Sequence, residues 1–318
     1  MDLSKIKMNS ARDRKNLVTR DDLIEPGINV PQWDPPGFDD LIKRIKKARI
    51  NGRQVILSMG AHPVKNGLSR ILIALMKEGF VTHIASNGAG SIHDFEMCWL
   101  GGTSEDVKTA IEDGSFGMWE ETCSWMNDAI KDGAAEGWGY GEALARCMDK
   151  HPERFPYTGD CVLYQAYKMK IPATYHIAVG TDIIHQHPAA DFGAIGKTSG
   201  VDFHRICQSV SELDGGVYLN FGSSVIGPEV FLKALSISRN LGYPVFDITT
   251  ANFDLVCIEN NKNGNNETGP GKDDPLYYYR PLKNIVDRPA RTGGKGFHFS
   301  VDHKVSLPNL FSRLVKED

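Results

Sequence analysis

The sequence predicts an α/β protein with a doubly wound, mostly parallel sheet. Short apolar runs alternate with segments whose apolar residues recur at helical spacing. This alternation is typical of parallel strands that are joined by crossover helices. The chain of 318 residues has no internal repeat and no linker-like segment between these units. We therefore expect an N-terminal arm over residues 1–36 and a single α/β domain over residues 37–318.

The clearest unit lies between residues 54 and 99. The apolar run Val55–Leu57 leads to a turn at Gly60, and helical spacing follows at Leu68, Ile71, Leu72 and Leu75. A second apolar run over 81–85 opens into Asn87-Gly88-Ala89-Gly90 and another helical pattern. The order strand, helix, strand, helix predicts two parallel strands with a right-handed crossover.

Both glycine turns of this unit fall where a strand passes into a helix. In such sheets, this edge binds ligands, and the helix N-terminus attracts negative charge. Neither turn matches the G-x-G-x-x-G dinucleotide pattern. A phosphate or nucleotide site and an ordinary tight turn are therefore both open at this point.

The N-terminal region differs in composition from the rest of the chain. Residues 1–36 are polar, mixed in charge, and end in Pro31, Pro35 and Pro36. We expect an arm on the surface or on a partner subunit, with a loosely ordered terminus as the alternative. The segment Phe38–Ile50 is an amphipathic helix by its pattern, with one apolar face made of Leu41, Ile42, Ile45 and Ala48.

Four further runs predict strands later in the chain, at Pro172–Val179, Gly216–Phe221, Pro244–Thr249 and Phe297–Val301. Helical spacing predicts helices over 198–213, over 228–241 and from Leu307. The polar segment 259–274 is expected to be either an insert or a functional loop.

Small or polar residues follow every predicted strand. They are Gly60-Ala61-His62, Asn87-Gly88, Gly180-Thr181-Asp182, Gly222-Ser223-Ser224, Thr250-Ala251 and Asp302. The carboxyl ends of parallel strands share one edge of a sheet, so this pattern favours an extended ligand, such as a dinucleotide, along that edge.

Composition excludes several classes of protein. The net charge of −4 leaves no basic excess for a nucleic-acid partner. No uninterrupted apolar stretch is long enough for a membrane span, and the start lacks an apolar signal region. The six cysteines are scattered without a C-x-x-C pair, which fits reduced thiols in a cytoplasmic protein.

A cluster of potential metal ligands follows the strand near residue 176. Asp182, His185, His187 and Asp191 lie close together in sequence, and His176 precedes them. Imidazole and carboxylate suit zinc, iron or manganese. Hydrogen bonding to a ligand such as a ribose, and a purely structural role, are the other two interpretations.

Other candidates lie on the first unit and near the C-terminus. Lys65 can pair with a phosphate or be a plain surface lysine, and Asp94 follows His93 where the helix dipole alone favours a carboxylate. Lys283 and Lys295 matter if the chemistry involves an imine, because a buried lysine becomes a nucleophile.

Four motifs of this chain together resemble deoxyhypusine synthase and its bacterial deoxyhypusine-synthase-like relatives. They are VTHIASNGAGSIHDFEMCWLG, GTDIIHQHP, GGVYLNFGSSVIGPEVFLKA and FHFSVDHKVSLPNLFSRLV, in the order of the family. The resemblance implies a Rossmann-like domain, NAD as cofactor and a homotetramer with active sites at dimer interfaces. In this family, NAD takes hydride from the carbon beside a secondary amine of spermidine. A lysine then captures the aminobutyl group of the resulting imine and passes it to an acceptor, and bacterial relatives include homospermidine synthases.

The resemblance also implies site residues. It places NAD against Gly60, Ala61, Lys65, Asn87, Gly88, Ala89, Asp182, Thr250, Ala251 and Asp302. His93 or Asp94 falls where the family has a glutamate for the polyamine, and His187 lies close to where it has an aspartate.

Two departures from the family pattern concern the catalytic residues. The position of the family's basic histidine falls near Pro228 and Glu229, so Glu229 is the candidate base. The family's catalytic lysine follows Trp-Gly, and the nearest match is Lys283 in Pro281-Leu282-Lys283, with Lys295 as the second candidate.

We therefore expect a cytoplasmic homo-oligomer that binds NAD and a small-molecule amine. It would oxidise this amine or transfer an aminoalkyl group through an imine, with Lys283, Glu229 and His187 as catalytic residues. One alternative is a metal-dependent hydrolase or lyase that uses Asp182, His185 and His187. The others are an NAD-binding protein without catalysis and a non-catalytic scaffold.

Overall fold

The structure, a computed structural model, describes residues 2–258, 272–273 and 275–316. Its strands are β1 (Val18–Thr19), β2 (Val55–Met59), β3 (His83–Asn87), β4 (Gly102–Thr103), β5 (Ala173–His176), β6 (Val217–Phe221), β7 (Thr249–Asp254) and β8 (Lys295–Ser300). Most of the segment predicted as an insert or functional loop, 259–274, lies outside the described residues.

The main helices alternate with these strands. They are α1 (Phe38–Ile50), α2 (His62–Lys65), α3 (Ser69–Lys77), α4 (Gly88–Trp99), α5 (Val107–Asp113), α6 (Glu120–Glu136), α7 (Tyr140–Lys150), α8 (Val162–Lys168), α9 (Phe192–Ser211), α10 (Ile226–Asn240) and α11 (His303–Val315). A π-helical segment, Leu282–Asp287, precedes β8. Within the described residues, no helix combines the length and apolarity needed to cross a membrane.

The main sheet has six strands in the order β5-β3-β2-β6-β7-β8, and every pair is parallel. The chain starts this sheet in the middle, adds two strands on one side, and then crosses back to add three on the other. This is the doubly wound Rossmann order, and its switch point lies between β2 and β6. The predicted fold class is confirmed.

Helices cover both faces of the sheet because alternate strand residues are apolar in both directions. Val55, Leu57 and Met59 of β2 join one core with α1, α3 and α11. Ile56, between them, joins a second core with α9, α10 and the π-helical segment. A third core, beyond the edge strand β5, packs α4 against α6, α7 and α8.

The N-terminal segment lies against the α/β domain of its own chain. Its strand β1 pairs antiparallel with β4, and Ala11 and Arg14 are buried. Whether this segment also contacts a partner subunit stays a prediction. Its packing nevertheless places an N-terminal guanidinium inside the domain, which matters for the site below.

One strand boundary was predicted wrongly. The apolar run 244–248 precedes the strand rather than forming it, and β7 begins only at Thr249. Val245 and Ile248 are buried in the core that contains α10. Burial without sheet pairing therefore explains why this run resembled a strand. The predicted tip residues Thr250 and Ala251 consequently lie inside β7.

Candidate functional site

The six strand tips lie side by side, and the switch point between β2 and β6 is closely packed. The Gly60 N–H donates to the Phe221 carbonyl oxygen at 3.0 Å. A β-carbon on Gly60 would lie 2.9 Å from the carbonyl oxygen of Gly222, which itself has a left-handed φ of +67°. Both positions therefore require glycine, and the space beside Gly222 is occupied by the His303 ring.

A cavity of about 200 Å³ lies at the carboxyl ends of β3 and β5. Its lining includes Lys65, Ala89, His93, Glu96, Ser104 and Asp182. Four of these six residues were singled out from the sequence, namely Lys65, Ala89, His93 and Asp182. Glu96 and Ser104 were missed, because nothing in their sequence context separates them from ordinary helix and loop residues.

Asp182 and His185 form the most distinctive pair next to the cavity. Asp182 is buried and packs against the first residue of α4. A β-carbon on Gly88 would overlap its carboxylate. His185 Nδ1 accepts the backbone N–H groups of Gly180 at 3.1 Å and Asp182 at 3.2 Å. The neutral imidazole therefore carries its proton on Nε2.

The two remaining polar atoms of this pair face each other. His185 Nε2 lies 4.0 Å from Asp182 Oδ2. Within the described part of the chain, both atoms are buried without a hydrogen-bond partner. A single hydroxyl group could accept from His185 and donate to Asp182. Burial raises the pKa of Asp182 to about 6, and the neighbouring Thr181 side chain opposes this rise.

The proposed metal ligands do not converge. His185 has no free lone pair, because Nδ1 accepts two N–H groups and Nε2 carries the proton. His187 Nδ1 accepts from the Ala189 N–H at 3.1 Å, and its Nε2 lies 3.4 Å from Glu120. Asp191 caps α9 by accepting from the Ala194 N–H at 3.0 Å.

His176, the fifth proposed ligand, is also engaged. Its Nε2 lies 3.2 Å from the Thr174 hydroxyl, and the side chain is buried. Among residues 2–258, 272–273 and 275–316, no group of three or more His, Cys, Asp or Glu side chains is arranged to hold a metal ion. The metal centre considered as an alternative is therefore not formed by these residues.

Ser104 and Lys65 supply further polar groups to the cavity wall. Ser104 has a positive φ of 66°, and its buried hydroxyl has no partner in the described part of the chain. Backbone strain of this kind is concentrated at functional sites. For Lys65, no salt bridge to another described residue is found. Its ammonium group is therefore a candidate partner for an anionic group of a ligand in the cavity.

The expectation that Asp94 binds a substrate is corrected by the structure. Asp94 is buried and accepts the backbone N–H groups of Val162 at 3.0 Å and Leu163 at 2.7 Å. The Cys161 thiol also donates to it at 3.4 Å. Asp94 therefore stabilises the start of α8, and its neighbour His93 is the residue that lines the cavity.

Glu229 and Lys283 lie on the other side of the edge, with the elements that follow β6 and β7. Glu229 accepts from Lys233, from Arg280 at 2.9 Å and from Asn284 at 3.1 Å. The Lys233 contact is the main reason that the pKa of Glu229 is lowered. A carboxylate held by two cations is a poor proton acceptor.

The two candidate lysines have different surroundings. Lys283 Nζ lies 3.8 Å from the centre of the Tyr277 ring. Lys295 begins β8, at the amino end of the sheet, and forms an ion pair with Asp40 at 2.6 Å. Lys295 is therefore on the wrong side of the sheet for chemistry at the carboxyl edge, which corrects its place as second candidate.

Two of the predicted NAD contacts, Thr250 and Ala251, differ from the expectation. Thr250 and Ala251 are fully buried inside β7, and the Thr250 hydroxyl donates to the Ile285 carbonyl at 2.6 Å. They cannot touch a ligand at the strand tip, because that tip is Asp254. Asp302 does lie at the end of β8, where it caps α11 by accepting from the Lys304 N–H at 2.8 Å.

The fold and the site define a class, namely a doubly wound α/β protein with a cavity at the carboxyl edge of its parallel sheet. No family model and no curated protein matches the chain. Similar solved structures include a candidate LOR/SDH protein of Methanococcus maripaludis S2, at 16% identity and a TM-score of 0.48, covering 92% of this chain and 73% of that chain.

Two more solved structures are similar at the same level. A candidate deoxyhypusine synthase of Entamoeba histolytica is 12% identical with a TM-score of 0.47, covering 86% of each chain. AgrE in complex with ornithine and NAD⁺ is 13% identical with a TM-score of 0.44, covering 87% of this chain and 31% of that chain. The chain spans about a third of the length of AgrE and of the arginine dihydrolase ArgZ. Likeness at this level says nothing about activity.

Proposed function

We propose that this chain binds NAD along the carboxyl edge of its sheet and uses it to oxidise or transfer an amine-bearing group of a small molecule. The observation that carries the proposal is a cavity with charged and polar lining residues at the carboxyl edge of a doubly wound sheet, the edge on which the switch point also lies. Dinucleotides bind at such switch points. Lys65 links β2, one of the two strands at the switch point, to the cavity. It is the last residue of α2, which follows β2, and its side chain lines the cavity.

The residues near the switch point fit a dinucleotide in part. Gly60 and Gly222 are required by the packing of the crevice itself, against the Gly222 carbonyl and the His303 ring, so the candidate contacts lie at the next strand tip. Asn87, Gly88 and Ala89 start α4 beside Asp182. The unpartnered donor of His185 and acceptor of Asp182 suit a ribose hydroxyl. NAD would supply the hydride acceptor for oxidation of the carbon next to the amine nitrogen.

Transfer of an aminoalkyl group would need a nucleophile, and Lys283 is our candidate. Its ammonium group lies over the ring of Tyr277, a cation–π contact. A nucleophilic role therefore requires the substrate to displace this contact. His187 and Glu229 are proposed only as auxiliary groups, since each is engaged by other residues.

The resemblance suggests a homo-oligomer, usually a tetramer, with sites at dimer interfaces. We keep this arrangement as part of the proposal, to be tested by light scattering of the purified chain.

The test is calorimetric titration of NAD, followed by measurement of NADH formation with putrescine, spermidine and ornithine. Asp182→Asn is expected to weaken NAD binding by about tenfold, as loss of a charge-assisted hydrogen bond implies. The matched control is Asp128→Asn on the exposed side of α6, which should bind NAD normally. Absence of NAD binding to the wild-type chain would refute the proposal. NAD binding without NADH formation would leave the non-catalytic alternative.

A further inference from the structure

His93 lies on the cavity wall, and its ring is held from behind by Thr103. His93 Nδ1 lies 2.7 Å from the Thr103 hydroxyl, which in turn lies 2.5 Å from Glu96 Oε2. The Glu96 carboxylate can only accept hydrogen bonds, so the single hydroxyl proton of Thr103 is donated to it. The Thr103 oxygen must then accept from Nδ1–H of His93.

Glu96 is fixed by Arg14 of the N-terminal segment. The Arg14 guanidinium donates to both carboxylate oxygens of Glu96, each at 2.8 Å. Their side chains are only 3% and 1% exposed. Thr122 adds a hydrogen bond of 3.0 Å to Glu96 Oε1. A bidentate pair of this kind sets the orientation of the carboxylate as well as its charge.

The consequence is a defined tautomer of His93. With its proton on Nδ1, the imidazole keeps an unprotonated Nε2. Burial lowers the pKa of His93 to about 4; the Glu96 carboxylate opposes this shift, and the nearby Lys65 adds to it. At neutral pH, Nε2 of the neutral His93 ring is therefore a hydrogen-bond acceptor on the cavity wall. The hydrogen bonds from Thr103 through Glu96 to Arg14 fix the orientation of this ring.

We propose that His93 Nε2 accepts the hydrogen bond of an N–H group of the small-molecule ligand, and that Thr103, Glu96 and Arg14 are positioning residues that fix its tautomer. The inference rests on the proposed function for the identity of the ligand as an amine. It assigns a role in ligand recognition to the N-terminal segment, although Arg14 acts only through Glu96 and Thr103. Fixing of a histidine tautomer by the partner of its other nitrogen is a general device.

The tautomer can be measured without any ligand. Long-range proton–nitrogen correlation spectra of protein labelled with ¹⁵N-histidine should show His93 protonated on Nδ1, with its signals assigned by their loss in His93→Phe. Thr103→Ser keeps the hydroxyl and should keep this tautomer, whereas Thr103→Val should lose it. A wild-type His93 protonated on Nε2, or an unchanged tautomer in Thr103→Val, overturns the inference.

Binding provides the second measurement. Calorimetry with putrescine, spermidine and ornithine in the presence of NAD should show about tenfold weaker binding of the preferred amine to His93→Phe, the effect of one lost hydrogen bond. NAD affinity should not change, and the exposed control His204→Gln should behave as wild type. Unchanged amine binding in His93→Phe, or NAD binding with no binding of any of the three amines, overturns the inference. Absence of NAD binding instead refutes the proposed function, while the tautomer result stands by itself.

Discussion

Replacement of Arg14 by Met tests how strongly the N-terminal segment is coupled to the domain. The change removes the cation from a pair whose two side chains are almost fully buried, with 3% and 1% exposure. Glu96 would then be a buried carboxylate that keeps only the hydroxyl groups of Thr103 and Thr122. Breaking one side of a buried ion pair costs about 3–5 kcal/mol. Arg14 also stacks on Trp119, with 5.3 Å from guanidinium to ring centre, and that contact would be lost as well.

The assay is urea unfolding followed by circular dichroism, in which Arg14→Met should shift the midpoint to much lower urea. The matched control is Arg146→Met. Arg146 pairs with Glu142 at 2.8 Å while its side chain is 41% exposed. Exposed pairs contribute less than about 1 kcal/mol. The double variant with Glu96→Gln should recover part of the loss, because the unpaired charge is then absent. An Arg14→Met variant within about 1 kcal/mol of wild type would refute the reasoning.

Three further predictions concern ligand charge, backbone geometry and pH. For Lys65, no salt bridge to another described residue is found, so ornithine should bind more tightly than putrescine, its counterpart without a carboxylate. By calorimetry, Lys65→Met should abolish this preference, while Lys77→Met on α3 should preserve it. Gly222→Ala should lower the free energy of unfolding by about 1–3 kcal/mol, since φ is +67° and a β-carbon would lie 2.6 Å from His303 Cε1; an unchanged urea midpoint would contradict this. Burial raises the pKa of Asp202 from 3.8 to about 7. The folded state then binds more protons than the unfolded state in that window, so this residue makes stability fall as pH rises from 3.8 to about 7. Asp202→Asn should flatten the pH dependence of the thermal midpoint over the same range, and a parallel profile would count against the argument.

The fold class could be predicted because its signals are local. An apolar run followed by helical spacing predicted β2, and the turn at residues 87–90 predicted the passage from β3 into α4. The order of strands in the sheet could not be predicted in this way. It depends on the pairing of Met59 with Phe221, which are far apart in the chain. The switch point that gives the site its location is therefore a property of tertiary structure.

Adjacent residues show where prediction of the site failed. His93 and Asp94 follow each other on α4, and the sequence offered both as substrate contacts. Successive residues on a helix lie about 100° apart around its axis. In the structure, His93 lines the cavity while Asp94 accepts hydrogen bonds from the start of α8. Only the packing of α8 against α4 decides between them, and that packing leaves no local signal.

Arg14 shows a different limit. It lies in a polar segment that composition separates from the domain at residue 37, so the sequence suggested an arm on the surface or on a partner subunit and gave no sign of a contact with the site. Yet the chain from Arg14 through Glu96 and Thr103 to His93 is continuous, with each link between 2.5 and 2.8 Å. The hydrogen-bonding state of a cavity residue is thus set by a charge outside the predicted domain. A boundary placed at residue 37 describes the sheet and its helices, whereas the unit that defines the site must include the N-terminal segment.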